Sequence, residues 1–152
     1  MIDLGPYQFS DSGKLVVKRA LEESQHRGHT SIGPEHLFTA LIDVERGFFN
    51  EVVQRLNRDP DLVIRTLDEA LRVSEPYTSP GLRLHPLGQT VFRMAYDHAR
   101  QRGRQEIGAA DLFVGLFQDR QGAPADLLRQ RGADRDLVLE KIMTRVNTRE
   151  EN

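Results

Sequence analysis

The chain has 152 residues, of which 21 are Lys or Arg and 23 are Asp or Glu, so its formal net charge is −2. A chain of this size can bury about 70% of its unfolded surface, and its stability therefore requires neither a metal nor a disulfide. The balanced, interspersed charges argue against nucleic acid as a partner, which would need a concentrated basic field. The absence of cysteine excludes thiol catalysis, thiolate zinc sites and disulfide bonds.

Two helices are predicted at the start of the chain. The first is capped by Ser10 or Ser12, has apolar residues at three- and four-residue spacing, and ends at Gly28. The second begins at Pro34, because the missing N–H of proline has no partner in a first helical turn. Its apolar face is predicted to be buried.

Two further helices follow in the first half of the chain. Gly47 is predicted to break the chain before the third helix, which contains the aromatic pair Phe48 and Phe49. Asp59 is the predicted cap of the fourth helix, with Pro60 in its first turn. The aromatic pair fits a buried core, and it could also line a peptide groove.

The second half of the chain repeats the first. Shifted by 75 residues, residues 9–71 align with residues 84–146 without a gap, and 15 of the 63 pairs are identical. Such a match indicates an internal duplication. Four more helices are predicted at 86–102, 109–119, 123–131 and 134–146. Residues 72–83 form the predicted linker, and residues 147–152 a polar tail.

No segment alternates with period two for long enough to predict a sheet. We therefore predict a single all-α domain over residues 1–152, in which two four-helix copies form an eight-helix pseudo-twofold bundle. No apolar run approaches the 18 or more residues of a membrane span, and the first 20 residues lack the pattern of a signal peptide. We expect a cytoplasmic protein without a membrane partner.

One cluster of residues raises the question of metal chemistry. His29, Glu35 and His36 include zinc-binding residue types, but adjacent residues on a helix diverge by about 100° and the spacing of zinc-binding helices is absent. The second copy has Asp111 at the position of His36 and lacks both histidines. We therefore favour an acid near a helix start over a metal site, and expect no metal and no cofactor.

Other catalytic patterns are also missing from the sequence. Asp97 and His98 lie within a predicted helix and are expected to face solvent. The chain has no nucleophile motif of the G-x-S-x-G type and no phosphate-binding glycine loop. We expect no catalytic residues, although an enzyme that uses His29, Glu35 and His36 on a metal stays as a rival hypothesis.

The duplicated unit resembles the amino-terminal domain of the Clp ATPase chaperones, the group of ClpA, ClpB and ClpC. The resemblance lies in "ALEESQHRGHTSIGPEHLFTALI" and "AYDHARQRGRQEIGAADLFVGLF", and "ADLLRQRGADRDLVLEKI" resembles the end of the family's repeat. It covers about residues 9–146.

The resemblance implies a binding role. In this family the domain is a mobile cap on a hexameric unfoldase ring, and it captures unfolded or tagged polypeptide substrates or docks adaptor proteins. The ATPase modules that follow it in the family are absent from these 152 residues. The resemblance leaves open a domain of a longer unfoldase and a stand-alone regulator or holdase that competes for adaptors.

The resemblance also implies site residues. In the ClpC branch, Gly-Thr-Glu-His segments bind phosphorylated arginine; here Glu35 is kept, Pro34 replaces the threonine, and Ala109 and Ala110 replace the pair in the second copy. In the ClpB branch, positions that match Ser10 and Asp111 border a peptide groove. The expected peptide- or adaptor-binding set is Ser10, Glu35, His36, Phe48, Phe49 and Asp111.

Overall fold

The computed structural model describes residues 5–29, 31–55, 59–72, 83–84 and 86–118. Six helices and four two-residue strands are present in these ranges. In chain order they are β1 (Gln8–Phe9), α1 (Asp11–His26), β2 (Ser31–Ile32), α2 (Pro34–Val44), α3 (Arg46–Arg55), α4 (Pro60–Arg72), β3 (Arg83–Leu84), α5 (Pro86–Gln101), β4 (Glu106–Ile107) and α6 (Ala109–Gln118).

The all-α fold class is confirmed. Ser10 is the N-cap of α1, where its hydroxyl accepts a hydrogen bond from the Gly13 N–H. Gly28 and Gly103 follow α1 and α5 in left-handed backbone conformations, with φ of 74° and 76°, which glycine adopts without strain. The helices predicted at 123–131 and 134–146, the middle of the predicted linker and the polar tail lie outside the described residues. The count of eight helices and the repeat boundaries therefore stay predictions.

One predicted helix boundary is wrong. Gly47 was expected to break the chain, yet it lies inside α3, and the break between α2 and α3 falls at Glu45. The backbone of Glu45 leaves the helical region with φ −119° and ψ 46°. This turn places Phe49 and Val53 in the core, where they are 2% and 3% exposed. Burial of this apolar face, rather than the low helix propensity of glycine, sets where α3 begins.

The four strands form two parallel pairs that were not predicted. β1 pairs with β4, and β2 pairs with β3. The offset of 75 residues relates β1 (Gln8–Phe9) to β3 (Arg83–Leu84) and β2 (Ser31–Ile32) to β4 (Glu106–Ile107). The two strand pairs are therefore equivalent to each other under the duplication. Each pair joins one copy to the other, which is the arrangement of two units around a pseudo-twofold axis.

The core lies where the two copies meet. α2 packs against α6 across the copies, and these helices pack against α1 and α5 respectively. Their apolar faces are fully buried and are built from the same positions in each copy. The central side chains are Leu37, Phe38 and Leu41 of α2 and Leu112, Phe113 and Leu116 of α6. Within the described residues, no helix is long and apolar enough to cross a membrane.

Candidate functional site

The predicted binding residues fall at three places in the fold. Ser10 and Asp111 meet where β1 and α1 of the first copy contact β4 and α6 of the second; we call the group Ser10, Ser12, Gly108 and Asp111 the first crossing. Glu35 and His36 lie at the start of α2, next to the β2–β3 pair. Phe48 and Phe49 belong to α3.

The first crossing is held by hydrogen bonds between the two copies. The Ser10 N–H donates to the Ile107 carbonyl at 3.0 Å, and the Ala109 N–H donates to the Ser12 hydroxyl at 3.1 Å. The two serine hydroxyls lie 3.2 Å apart. A Cβ on Gly108 would lie 3.2 Å from the Ser10 hydroxyl, so the absence of a side chain there permits this approach. The start of α6 is thus fixed on the start of α1.

Asp111 organises the start of α6 from a fully buried position. Its Oδ2 accepts the Gly108 N–H at 2.9 Å, which caps the helix from its third residue. Its Oδ1 contacts His98 Nδ1 at 2.7 Å and accepts from Arg104 Nη2 at 2.9 Å. The carboxylate therefore ties α5, the loop before β4 and the start of α6 together.

His98 differs from its sequence-based prediction. It was expected to face solvent, but it is 3% exposed and bonded to Asp111. The neighbouring Asp97 is exposed as predicted. The spacing of Val91, Ala95 and His98 places the histidine on the buried stripe of α5, and this periodicity was visible in the sequence.

His36 occupies the position in α2 that Asp111 occupies in α6. Its Nδ1 accepts the Gly33 N–H at 3.0 Å, and its Nε2 lies 2.9 Å from His29 Nδ1. Because Nδ1 is an acceptor, the neutral ring carries its proton on Nε2 and donates it to His29. The shared feature of the two copies is therefore a buried acceptor that caps the helix.

The environment of His29 disfavours its charged form. Burial lowers the pKa of His29 below its ordinary value, the nearby Arg27 guanidinium lowers the pKa further, and Glu23 opposes the shift. Both nitrogens of His36 are engaged with Gly33 and His29. Within the described ranges, no group of three or more His, Cys, Asp or Glu side chains is placed to hold a metal ion.

The remaining predicted residues differ in exposure. Glu35 is partly exposed in the first turn of α2, while Pro34 and His36 on either side of it are buried. Phe49 is 2% exposed and its ring packs edge-on against Phe38, with centroids 6.0 Å apart. The side chain of Phe48 lies outside the described part of the structure. A direct role of these six residues in binding stays a prediction.

Four residues that belong to the first crossing or contact its Asp111 were not predicted as site residues. They are Ser12, His98, Arg104 and Gly108. The signal for Ser12 was present, since it was considered as the alternative cap of α1. The contribution of Gly108 depends on its close approach to Ser10, which lies 98 positions earlier in the chain and which one sequence without structure does not show.

Comparison with known proteins decides the family. Residues 8–131 match the Clp repeat (R) N-terminal domain. The chain belongs to this family. The expected resemblance to the Clp chaperones is thereby confirmed over most of the chain.

The relatives of this Clp repeat domain are distant in sequence. ClpB of Oceanobacillus iheyensis is 21% identical over 143 residues, which cover 94% of this chain and 18% of that protein. ClpC/MecB of Bacillus subtilis, named a negative regulator of genetic competence, is also 21% identical over 143 residues, which again cover 94% of this chain and 18% of that protein. The chain thus spans less than a fifth of the length of these relatives.

Solved structures share the fold. The Hsp104 N-terminal domain of Candida albicans superimposes with a TM-score of 0.76 at 16% identity, covering 90% of this chain and 89% of that one. A ClpV N-domain in complex with a VipB peptide gives a TM-score of 0.65 at 14% identity, with 88% of each chain covered. At these identities the likeness establishes the fold alone.

Proposed function

We propose that the chain is the substrate- or adaptor-binding N-terminal domain of a Clp-type AAA+ protein unfoldase, and that it has no catalytic activity of its own. Membership of the Clp repeat family and the peptide complex of a ClpV N-domain with the same fold support this proposal. The observation on this chain that carries it is the exposure of Leu15, 52%, beside the first crossing.

Leu15 lies one helical turn beyond Ser12 on α1, so the two side chains share a face of the helix. Ser12 contacts the start of α6, and α6 there offers the partly buried Ala110. An apolar residue next to a polar rim suits a short, extended polypeptide segment, whose backbone needs hydrogen-bond partners while its side chains need apolar contact.

The binding would be weak and tolerant of sequence. Burial of the exposed half of a leucine contributes about 1 kcal/mol, and ordering the peptide opposes association. A shallow site of this kind favours polypeptides that expose many apolar segments, as unfolded proteins do. The site therefore captures a class of substrates rather than one sequence.

The predicted residues have two roles in this proposal. Ser10 and Glu35 are partly exposed and supply polar contacts at the starts of α1 and α2. His36 and Asp111 are fully buried and act as positioning residues: Asp111 holds the start of α6 at the first crossing, and His36 holds the start of α2 next to the β2–β3 pair. Phe49 supports α2 from the core through Phe38, and Phe48 is its neighbour on α3.

The buried histidine–aspartate pair has the geometry of part of a catalytic triad but not its surroundings. His98 Nδ1 contacts Asp111, whereas His98 Nε2 is buried and has no hydrogen-bond partner among the residues that the structure describes. A triad needs a nucleophile at Nε2 that substrate can reach. The pair supports a structural role in helix capping.

A binding titration tests the proposal. We expect fluorescein-labelled, permanently unfolded lactalbumin to bind the wild-type domain saturably, with a Kd on the order of 10–100 µM. Leu15→Glu should weaken binding about fivefold or more, because it removes apolar contact at the first crossing. Arg93→Glu, a charge change at an exposed site on α5, is the matched control and should bind as the wild type does.

The two variants also separate binding from folding. Both positions are exposed, so both proteins should keep the helical circular dichroism and the Tm of the wild type. Equal affinity of Leu15→Glu and wild type would show that polypeptide does not bind at the first crossing.

A further inference from the structure

A second recessed surface lies at the far end of α1. It is a cleft of about 350 Å³ between the C-terminal end of α1, α2, the start of α3 and α4. Because Glu23 lies 11 residues after Ser12 and each residue of a helix rises about 1.5 Å, this cleft begins roughly 17 Å along α1 from the first crossing. A peptide bound at the first crossing leaves it open.

The cleft has an apolar floor. Ile42 of α2 and Ile64 and Leu67 of α4 line it together. Ile64 is only partly buried, so part of this floor is accessible to a ligand. The volume is at the lower end of the range of about 300–1,000 Å³ that is usual for ligand sites, and it fits one or two large side chains rather than a folded surface.

One wall of the cleft is formed by three charged side chains, Glu23, Arg27 and Asp68, which pair with one another. Arg27 Nε donates to Glu23 Oε1 at 2.6 Å, and Arg27 Nη2 donates to Asp68. Burial alone would lower the pKa of Arg27, but hydrogen bonds to Asp68 and Glu23 raise it overall. The guanidinium is thus committed to two carboxylates and is not available to a ligand.

The mouth of the cleft carries two arginines, Arg65 and Arg46, that are not held by buried carboxylates. Arg65 is exposed and forms no ion pair with any residue that the structure describes. Arg46 pairs at 3.2 Å with Asp61, which is 77% exposed, so water screens this contact and a ligand can replace it. The third charge at the mouth, Asp43, is held by Arg19 at 2.9 Å.

The charges at the mouth are peculiar to the first copy, whereas the apolar floor positions are not. Under the offset of 75 residues the floor stays apolar in the second copy, as Ile42/Phe117, Ile64/Leu139 and Leu67/Ile142. Arg27 is matched by Arg102, but the other charged residues change, as Glu23/His98, Arg46/Gln121, Arg65/Glu140 and Asp68/Met143. The duplicated scaffold therefore requires the apolar positions but does not require the arginines at the mouth.

We propose that this cleft binds a short segment of a partner polypeptide in which one or two bulky apolar residues are flanked by acidic residues. The apolar side chains enter the floor formed by Ile42, Ile64 and Leu67. The flanking carboxylates contact Arg65 and Arg46, and charge-assisted hydrogen bonds to guanidinium groups favour them over neutral or basic flanks. The segment binds independently of the first crossing.

Two labelled peptides of equal length test the proposal by fluorescence anisotropy at low salt. One has the central sequence Glu-Leu-Leu-Glu and the other Lys-Leu-Leu-Lys, each between Gly-Ser and Ser-Gly ends. We expect the whole domain to bind the acidic peptide at least fivefold more tightly than the basic one. Arg65→Glu should abolish or reverse this preference, because it exchanges the sign of the exposed charge at the mouth.

Two control variants locate the effect. Arg93→Glu makes the same charge change at an exposed site on α5 and should keep the preference of the wild type. Lys18→Glu, at an exposed site on α1 that does not line the cleft, should also keep it. Equal binding of both peptides, no binding up to about 1 mM, or an unchanged preference in Arg65→Glu would overturn the proposal.

Discussion

At the residue scale, the third residue of α2 and the third residue of α6 both cap their helix with a hydrogen bond. His36 and Asp111 each reach back to the N–H of the glycine that precedes the helix, Gly33 and Gly108. From the sequence we expected a repeated acid near the helix start, but the feature that repeats in the structure is a hydrogen-bond acceptor. The residue type changes between the copies because a neutral imidazole and a carboxylate both supply this acceptor.

Asp111 should be among the side chains on which stability depends most. Its replacement by alanine leaves the buried Gly108 N–H and His98 Nδ1 without their acceptor, which we expect to lower the free energy of unfolding by about 3 kcal/mol. Urea denaturation measures this loss. Asp97→Ala, at an exposed position on the same helix as His98, should change stability by less than about 0.5 kcal/mol. Similar small losses in both variants would contradict the network described here.

His29 should make stability depend on pH. Its pKa in the folded protein is below the ordinary value of 6.5, chiefly through burial and secondly through Arg27. Between the two pKa values the unfolded chain binds more protons, so this contribution to stability is present above about pH 6.5 and is lost as the pH falls through the folded pKa. Protonation of His29 at Nδ1 would also remove the acceptor for His36.

The pH dependence is measured by urea unfolding of wild type and His29→Gln between pH 5 and pH 7.5. Glutamine can still accept a hydrogen bond from His36 but does not titrate. We expect the wild type to lose stability more steeply than the variant as the pH falls. Parallel profiles would show that His29 does not titrate differently in the two states.

At the element scale, the helices of the described region follow from apolar periodicity, caps and helix-ending glycines. The starts of α2 and α4 were predicted to the residue from Pro34 and Pro60, and Ser10 is one of the two caps predicted for α1. The four strands could not be predicted, because two residues have no period and their partners lie in the other copy. The false break at Gly47 arose because glycine was given more weight than the apolar face of α3.

Two glycines in helices should respond to alanine in opposite directions. A Cβ on Gly13 would lie 2.1 Å from the Ile107 carbonyl oxygen, so Gly13→Ala should lower the free energy of unfolding by about 3 kcal/mol as α1 moves off β4. Gly47 in α3 has nothing within 4 Å of such a Cβ, so Gly47→Ala should raise the free energy of unfolding by about 0.5–1 kcal/mol. Thermal unfolding of both variants checks this pair, and a stable Gly13→Ala would contradict the close approach.

At the scale of the whole molecule, the duplicated apolar pattern predicted the fold class because the core is built from the same positions twice. The site was harder to predict. Ser10 and Asp111 were expected from family resemblance and do meet at the first crossing, while Glu35 and His36 lie at the β2–β3 pair and Phe49 lies in the core. Sequence alone does not show which loop of one copy meets which helix of the other.

The fold places two candidate binding surfaces at opposite ends of α1. The first crossing joins the two copies and offers an exposed leucine, whereas the cleft belongs to the first copy and offers arginines at its mouth. A domain with two such surfaces can hold one polypeptide at two points. Two weak contacts on one chain raise its overall affinity without a strong single site.

The proposed binding of unfolded polypeptide at the first crossing can be measured by comparing two forms of one protein. Labelled lactalbumin is titrated against the wild-type domain in its native form and in its permanently unfolded form. We expect saturable binding of the unfolded form, weakened at least fivefold by Leu15→Glu, and no binding of the native form. Absence of binding at several hundred micromolar, or equal binding of both forms, would contradict it.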